Sequence, residues 1–259
     1  MDEVLGAISE LWRFPVKSMQ GERIDDGHLT ERGLEGDRRY ALRDATTGKV
    51  LSAKRVAPLL EAGARWAGDE VIITLPDGTE VEAADPGADA TLSSWLDRDV
   101  RLAAADPAEP GAYEMGVDPI DDDAPVIEFP CPPGTFLDAA AAHLLTTASL
   151  TDAAASHPAG RWDVRRFRPT MLVEVDPATV EGPFPEDAWI GAAVQAGAAG
   201  LMVFAPTVRC AMPTRAQGDL PRDADIARTV TSQHASNLGV YAAVTTPGAI
   251  AVGDHVRRT

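Results

Sequence analysis

Cysteine is nearly absent from this chain: Cys131 and Cys210 are the only two in 259 residues. Two thiols so far apart cannot staple a scaffold, so a disulfide framework is excluded and a reducing compartment fits. Basic residues are scarce beside acidic ones, 23 against 40, which leaves a formal net charge of -17. Such a surface repels phosphate backbones and anionic lipid, so neither nucleic acid nor membrane is an expected partner. The charge leaves two readings, a self-repelling soluble surface or a docking face for a basic redox partner. Long apolar runs are missing as well. The most apolar stretch, 192–206, is too short to span a bilayer and is broken by Gln195, Gly197 and Gly200. The opening MDEVLGAISELWRF starts acidic and lacks the charged-then-apolar pattern of a secretion signal, so a cytoplasmic protein is expected. The histidines, His28, His143, His157, His234 and His255, form no metal-binding spacing with each other or with cysteine, and zinc is unsupported. Gly-x-Ser-x-Gly elbows, Walker loops and dinucleotide fingerprints do not occur.

What is present reads as a folded, β-rich protein. Hydrophobic residues at 45% and charged ones at 24% are ordinary globular usage, and the length suits one large domain or two unequal ones. Alternating segments punctuated by turns predict strands over 6–14, 21–30, 38–44, 49–53, 70–76 and 79–82, with Asp77-Gly78 as a hairpin turn. One helix is predicted over 88–96, where Leu92, Trp95 and Leu96 share a face. The composition then shifts to Pro, Asp and Gly, predicting a linker or loop over 107–134. Its run Asp121-Asp122-Asp123 lacks the alternating ligands of a calcium loop and reads as solvated. Beyond it, helices are expected over 149–157, capped by Ser149, and 223–233, and strands over 171–175, 193–196, 201–204, 240–245 and 250–256. The fold class expected is mainly β with a few short helices: an N-terminal barrel or sandwich over 1–106 and a second β-rich unit over 135–259.

Four segments carry chemistry. Phe14-Pro15-Val16-Lys17-Ser18 projects a lysine and a hydroxyl from a strand end, either for an anion or as a solvated turn. Gly33-Leu34-Glu35-Gly36-Asp37-Arg38 is a Gly-rich turn delivering Arg38, equally readable as a plain hairpin. Arg165-Arg166-Phe167-Arg168-Pro169-Thr170 is the densest positive cluster in an acidic chain. Crowding three guanidinium groups calls for neutralisation, by a small phosphorylated ligand or by internal salt bridges. Thr207-Val208-Arg209-Cys210 sets a cysteine beside an arginine at a strand end, where a thiolate is stabilised and reachable; a buried inert cysteine is the alternative, and Cys131 is read that way.

In this order the four segments resemble the MOSC family in its version with an N-terminal β-barrel domain, which includes the mitochondrial amidoxime-reducing components and their bacterial relatives. Glu186-Asp187-Ala188-Trp189 and Gly248-Ala249-Ile250-Ala251-Val252-Gly253-Asp254 extend the likeness along nearly the whole chain. The resemblance implies a molybdenum–molybdopterin cofactor between the two domains, the second of them a MOSC-type barrel. It implies that Lys17, Ser18, Arg38, Arg168, Thr170 and Arg209, with Ser149 as a helper, bind pterin or phosphate, and that Cys210 ligates the metal. Two positions depart from the pattern: Thr170 stands where relatives have Asn, and Val208 where amidoxime-reducing members have Ser. The implied activity is an oxidoreductase acting on N-hydroxylated or similar small-molecule substrates, with electrons from a separate donor protein. A sulfur carrier using a Cys210 persulfide and a non-catalytic cofactor carrier are the alternatives.

Overall fold

The first strand of the chain closes its largest sheet. In the computed structural model, which describes residues 3–117, 125–176, 178 and 182–259, the strand Glu3–Arg13 turns Ile8 and Leu11 fully inward. It pairs antiparallel with His255–Arg258 on one edge and with Met171–Glu174 on the other. The circuit continues through Ala142–Thr146, Asn237–Thr246, Ala199–Val208 and Ala193–Ala196 back to His255–Arg258, so seven strands form a closed barrel. Closure leaves no edge to template aggregation. Gly6 permits it locally, since a Cβ there would strike the Glu174 carbonyl. Leu144, Val173, Leu201, Val203, Val240 and Val256 fill the interior, each stabilising the fold by roughly 1.5–3 kcal/mol through burial.

One stretch of barrel wall is covered outside as well. Every residue of Ala142–Thr146 is buried: Leu144 faces the barrel core, while Leu145 joins Phe167, Leu172, Ile226, Val230 and Leu238 in an outer cluster. That strand runs parallel to Met171–Glu174, which demands a crossover. Helix Thr147–Ser156 provides part of it, and the helix Asp225–His234 supplies Ile226 and Val230.

The N-terminal half wraps smaller sheets around a second apolar cluster containing Val16, Leu42, Leu60, Val71, Ile73 and Leu92. Tyr40–Asp44 pairs with Val100–Ala104, and Gly63–Ala67, Glu70–Thr74 and Glu80–Glu82 form a meander. The helix Ala88–Leu96 has the predicted bounds, and the fold is mainly β, as expected.

The departures from expectation have local causes. Residues 21–30 divide into Glu22–Ile24, paired with the first strand, and Asp26–Thr30, paired with Gly248–Ala251. Residues 250–256 divide likewise at a turn around Gly253, whose φ of 93° ends the ladder. Arg38 takes φ 45°, so the strand expected from 38 starts at Tyr40. Residues 49–53 contribute only the bridges of Val50 to Arg43 and Tyr113. Within 107–134, read as loop, Ala112–Gly116 and Val126–Pro130 form a hairpin. Tyr113 and Cys131 there pack with Ala41, Val50 and Phe136. Asp121, Asp122 and Asp123 lie outside the described residues. No helix among the described residues is long and apolar enough to cross a membrane.

Candidate functional site

Where Glu3–Arg13 ends, Pro15 turns the chain and the next segment laces onto 37–40. Lys17 N donates to the Tyr40 carbonyl at 2.8 Å, Arg38 N to Phe14 O at 2.8 Å and Tyr40 N to Pro15 O at 3.0 Å. The buried Asp37 carboxylate accepts from Phe14 N at 2.7 Å and pairs with Arg38. The first two motifs therefore form one surface carrying Lys17, Ser18 and Arg38. On the other side, Arg168 and Thr170 lead into Met171–Glu174, and Ala199–Val208 delivers Arg209 and Cys210. Arg209 Nη2 donates to Phe167 O at 2.8 Å, locking these two segments together.

The halves meet across a cleft whose wall carries Lys17, Ser18, Arg38, Arg168, Thr170, Arg209 and Cys210. Three of its residues, Ser18, Arg38 and Arg168, have positive φ (71°, 45° and 54°), half of the six non-glycine residues that do so among the described residues. Each costs of order 1–3 kcal/mol of local strain, so the backbone is bent here to aim side chains. Cross-links between halves hold the shape: Arg168 Nη1 donates to Met19 O at 2.7 Å and Arg215 Nη2 to Lys54 O at 2.9 Å.

The arginine cluster has three fates. Arg165 pairs with Asp163 and Asp219 at 2.7 and 2.9 Å. Arg166, 0% exposed, donates to the carbonyls of Arg161, Pro213, Arg215 and Pro221. Arg168 alone is aimed so that part of its guanidinium is left over: it stacks 4.1 Å above the Phe14 ring centroid, which Arg38 approaches at 4.5 Å, and its buried Nη2 has no partner among the described residues. Burial, with Arg38 alongside, pushes its pKa down to about 9. Arg209 is also lowered by burial, and its Nε is buried without a partner among the described residues. Partnerless buried guanidinium nitrogens are costly and call for an acceptor. The donor set therefore fits an anionic ligand.

Ser149 does not join this wall. It sits in the first turn of Thr147–Ser156, fully buried, bonded to Thr146 and to Glu186 Oε2 at 2.6 Å. The helix cap is Thr146, whose hydroxyl accepts from Ser149 N at 3.2 Å; the expected cap role of Ser149 is corrected, and its hydroxyl is engaged away from the cleft. Burial pushes the Glu186 carboxyl up, against the two hydroxyls that hold it. Thr170 is on the wall, and its Oγ1 accepts from His143 N at 3.1 Å. Cys210 is free and half-buried, whereas Cys131 is buried and burial raises its thiol pKa.

The structure adds Asp138, His143 and Tyr241 to the wall. His143 lies against Gly239, where a Cβ would run into its Nε2. Burial, then the charge of Arg209, holds its imidazole well below the usual histidine range, so it is neutral. Burial likewise raises the Tyr241 phenol, keeping it protonated. Lys54 lies just behind, its ammonium 2.9 Å from Asp138 Oδ2. None of the four belongs to a short motif; the Tyr241–His143 strand pairing that brings two of them together is a long-range contact.

Fold and site together define a β-barrel protein with a cationic, thiol-bearing cleft. The MOSC domain family model matches residues 133–257 and the MOSC N-terminal beta barrel domain model matches residues 5–106. The chain belongs to the MOSC family, whose domains are associated with the molybdenum cofactor. Among solved structures it is similar to the YuaD protein from Bacillus subtilis, with 12% identity and a TM-score of 0.49 over 100% of this chain and 98% of that one. YiiM from Escherichia coli is similar at 15% identity and a TM-score of 0.34, over 46% of this chain and 54% of that one. YiiM from Geobacillus stearothermophilus gives 15% and 0.35, over 61% and 67%. No curated protein sequence matches the chain.

Proposed function

We propose that the cleft holds a molybdenum–molybdopterin cofactor and that the protein is an oxidoreductase removing oxygen from N-hydroxylated or similar small substrates. The observation that carries this reading is the meeting of a half-buried thiol, Cys210, with the partnerless guanidinium nitrogens of Arg168 and Arg209 at one cleft. Phosphate calls for guanidinium and ammonium donors, and a soft metal centre for thiolate. When bound, the cofactor supplies the redox step that protein side chains lack.

The roles of the chain's own groups follow from their contacts. Lys17, Ser18, Arg38 and Arg168 hold the phosphate and pterin. The Ser18 hydroxyl already accepts from Ala53 N at 2.9 Å, so its hydrogen is left to donate. Thr170 is in the same position, its oxygen engaged by His143 N. Arg209 and Cys210 form the metal end, with Cys210 supplying the sulfur ligand. The Tyr241 hydroxyl holds a proton at the cleft wall for a reduction that consumes protons. Electrons come from a separate redox protein, since the chain shows no haem, flavin or iron–sulfur motif.

The test is turnover of an amidoxime with an artificial reductant, using protein from a cofactor-competent host. Amidine formation that disappears in Cys210→Ser is expected. Molybdenum without turnover would indicate a cofactor carrier. Absence of molybdenum with a reducible sulfur on Cys210, seen by mass spectrometry, would indicate a sulfur carrier.

A further inference from the structure

At the cleft wall, one carboxylate serves two buried lysines. Asp138 Oδ1 pairs with Lys17 and Oδ2 with Lys54, and both ammonium groups lie against the Tyr113 ring, 4.2 and 4.1 Å from its centroid. Lys17 also donates to Phe136 O at 2.8 Å. The three charges are not equivalent. Lys17 and Asp138 are on the wall of the cleft, and Asp138 keeps 39% of its side chain exposed; Lys54 is sealed at 3% and is not on the wall.

An exposed carboxylate inside a cleft built for an anion works against that ligand twice, by repelling it and by occupying Lys17. We propose that Lys54 is a positioning residue that sets the cleft's affinity for its phosphate-bearing ligand by neutralising and anchoring Asp138, a resident counter-anion the ligand must outcompete at Lys17. The inference rests on the reading of the cleft as a phosphate site.

The geometry supports a division of labour. Lys54 takes the oxygen of Asp138 that Lys17 does not, so the carboxylate is pinned from behind and cannot swing toward Arg38 or Arg168. An ammonium has three donors, and the polar partners of Lys17 among the described residues are Asp138 and Phe136 O, which leaves a third for an incoming phosphate oxygen. The backbone of Lys54 is itself fixed: its carbonyl accepts from Arg215, and the neighbouring Ala53 N donates to Ser18. Any movement of Lys54 is thus felt at Ser18 as well. Protonation agrees in direction: at Lys54 burial works against the charge, and Asp138 together with Cys210 and Tyr113 outweighs it, whereas at Lys17 burial wins.

The experiment is calorimetric titration of inorganic phosphate into the full chain made in a host unable to synthesise the pterin. Lys54→Met should weaken phosphate binding at least tenfold, although Lys54 does not face the ligand. Asp138→Asn should tighten it. The double variant should bind as Asp138→Asn does, because Lys54 has nothing left to neutralise. Wild-type affinity in Lys54→Met would overturn the assignment, and so would a double variant as weak as Lys54→Met, which would mean direct contact. Lys54→Gln repeats the test if the methionine variant fails to fold. Absence of phosphate binding by both wild type and Asp138→Asn would overturn the phosphate reading itself, a result separable from failure of the Lys54 effect alone.

Discussion

Inside the barrel, Ile8, Leu11, Val203 and Val256 bury nearly all their surface among other apolar side chains. At the ends of the same strands, Lys17, Arg168 and Arg209 are buried or nearly so amid bent backbone and unmatched donors. The barrel obeys the rules of close packing, and the cleft breaks them at several adjacent positions. Proteins sustain that only where the rest of the fold over-determines the geometry. The closed barrel and the cross-links between halves are what over-determine it here, so stability and binding should separate by region.

Arg166 breaks this comparison by address and obeys it by chemistry, since its charge is buried beside the cleft yet bonded to four carbonyls. Arg166→Met should lower the unfolding free energy in urea titration by more than about 3 kcal/mol, since buried carbonyls left without a donor cost about 1–3 kcal/mol each. Leu144→Ala, in the barrel wall, should cost about 3 kcal/mol while folded protein keeps wild-type phosphate affinity. His143 gives a pH signature. Its folded pKa lies below 6.5, so as pH falls through 6.5 the unfolded chain takes up a proton that the folded one refuses. Stability should drop by as much as about 1.4 kcal/mol per pH unit below 6.5 until the folded pKa is reached. His143→Gln should remove that part of the acid sensitivity, measured as the difference between unfolding curves at pH 7 and pH 5. Arg168→Gly should be the mildest for stability, exceeding Arg168→Ala by about 1 kcal/mol because φ 54° suits glycine, with cofactor retention lost in both.

The segments of the cleft were legible in the sequence because each carries a local oddity: a lysine after a strand-ending proline, arginines crowded in an acidic chain, a cysteine beside Arg209. The alternation of short strands likewise announced a mainly β fold. Asp138, Lys54, His143 and Tyr241 were not legible, because nothing in their neighbours along the chain distinguishes them and their roles arise from contacts between distant segments. Ser149 misled for the opposite reason. A serine near the start of a helix reads as a cap, but Glu186, 37 residues away, captures its hydroxyl. The hairpin of Ala112–Gly116 with Val126–Pro130 was hidden by the Pro, Asp and Gly around it, although Tyr113 gives it a core to pack on.

Elemental analysis of molybdenum per chain, on wild type and Arg168→Ala purified side by side from a cofactor-competent host, tests the central claim most directly. The account predicts near-stoichiometric metal in the wild type and strong depletion in the variant, from loss of a charge-assisted contact worth about 1.5–3 kcal/mol. Metal-free wild type, or undiminished metal in the variant, would contradict it.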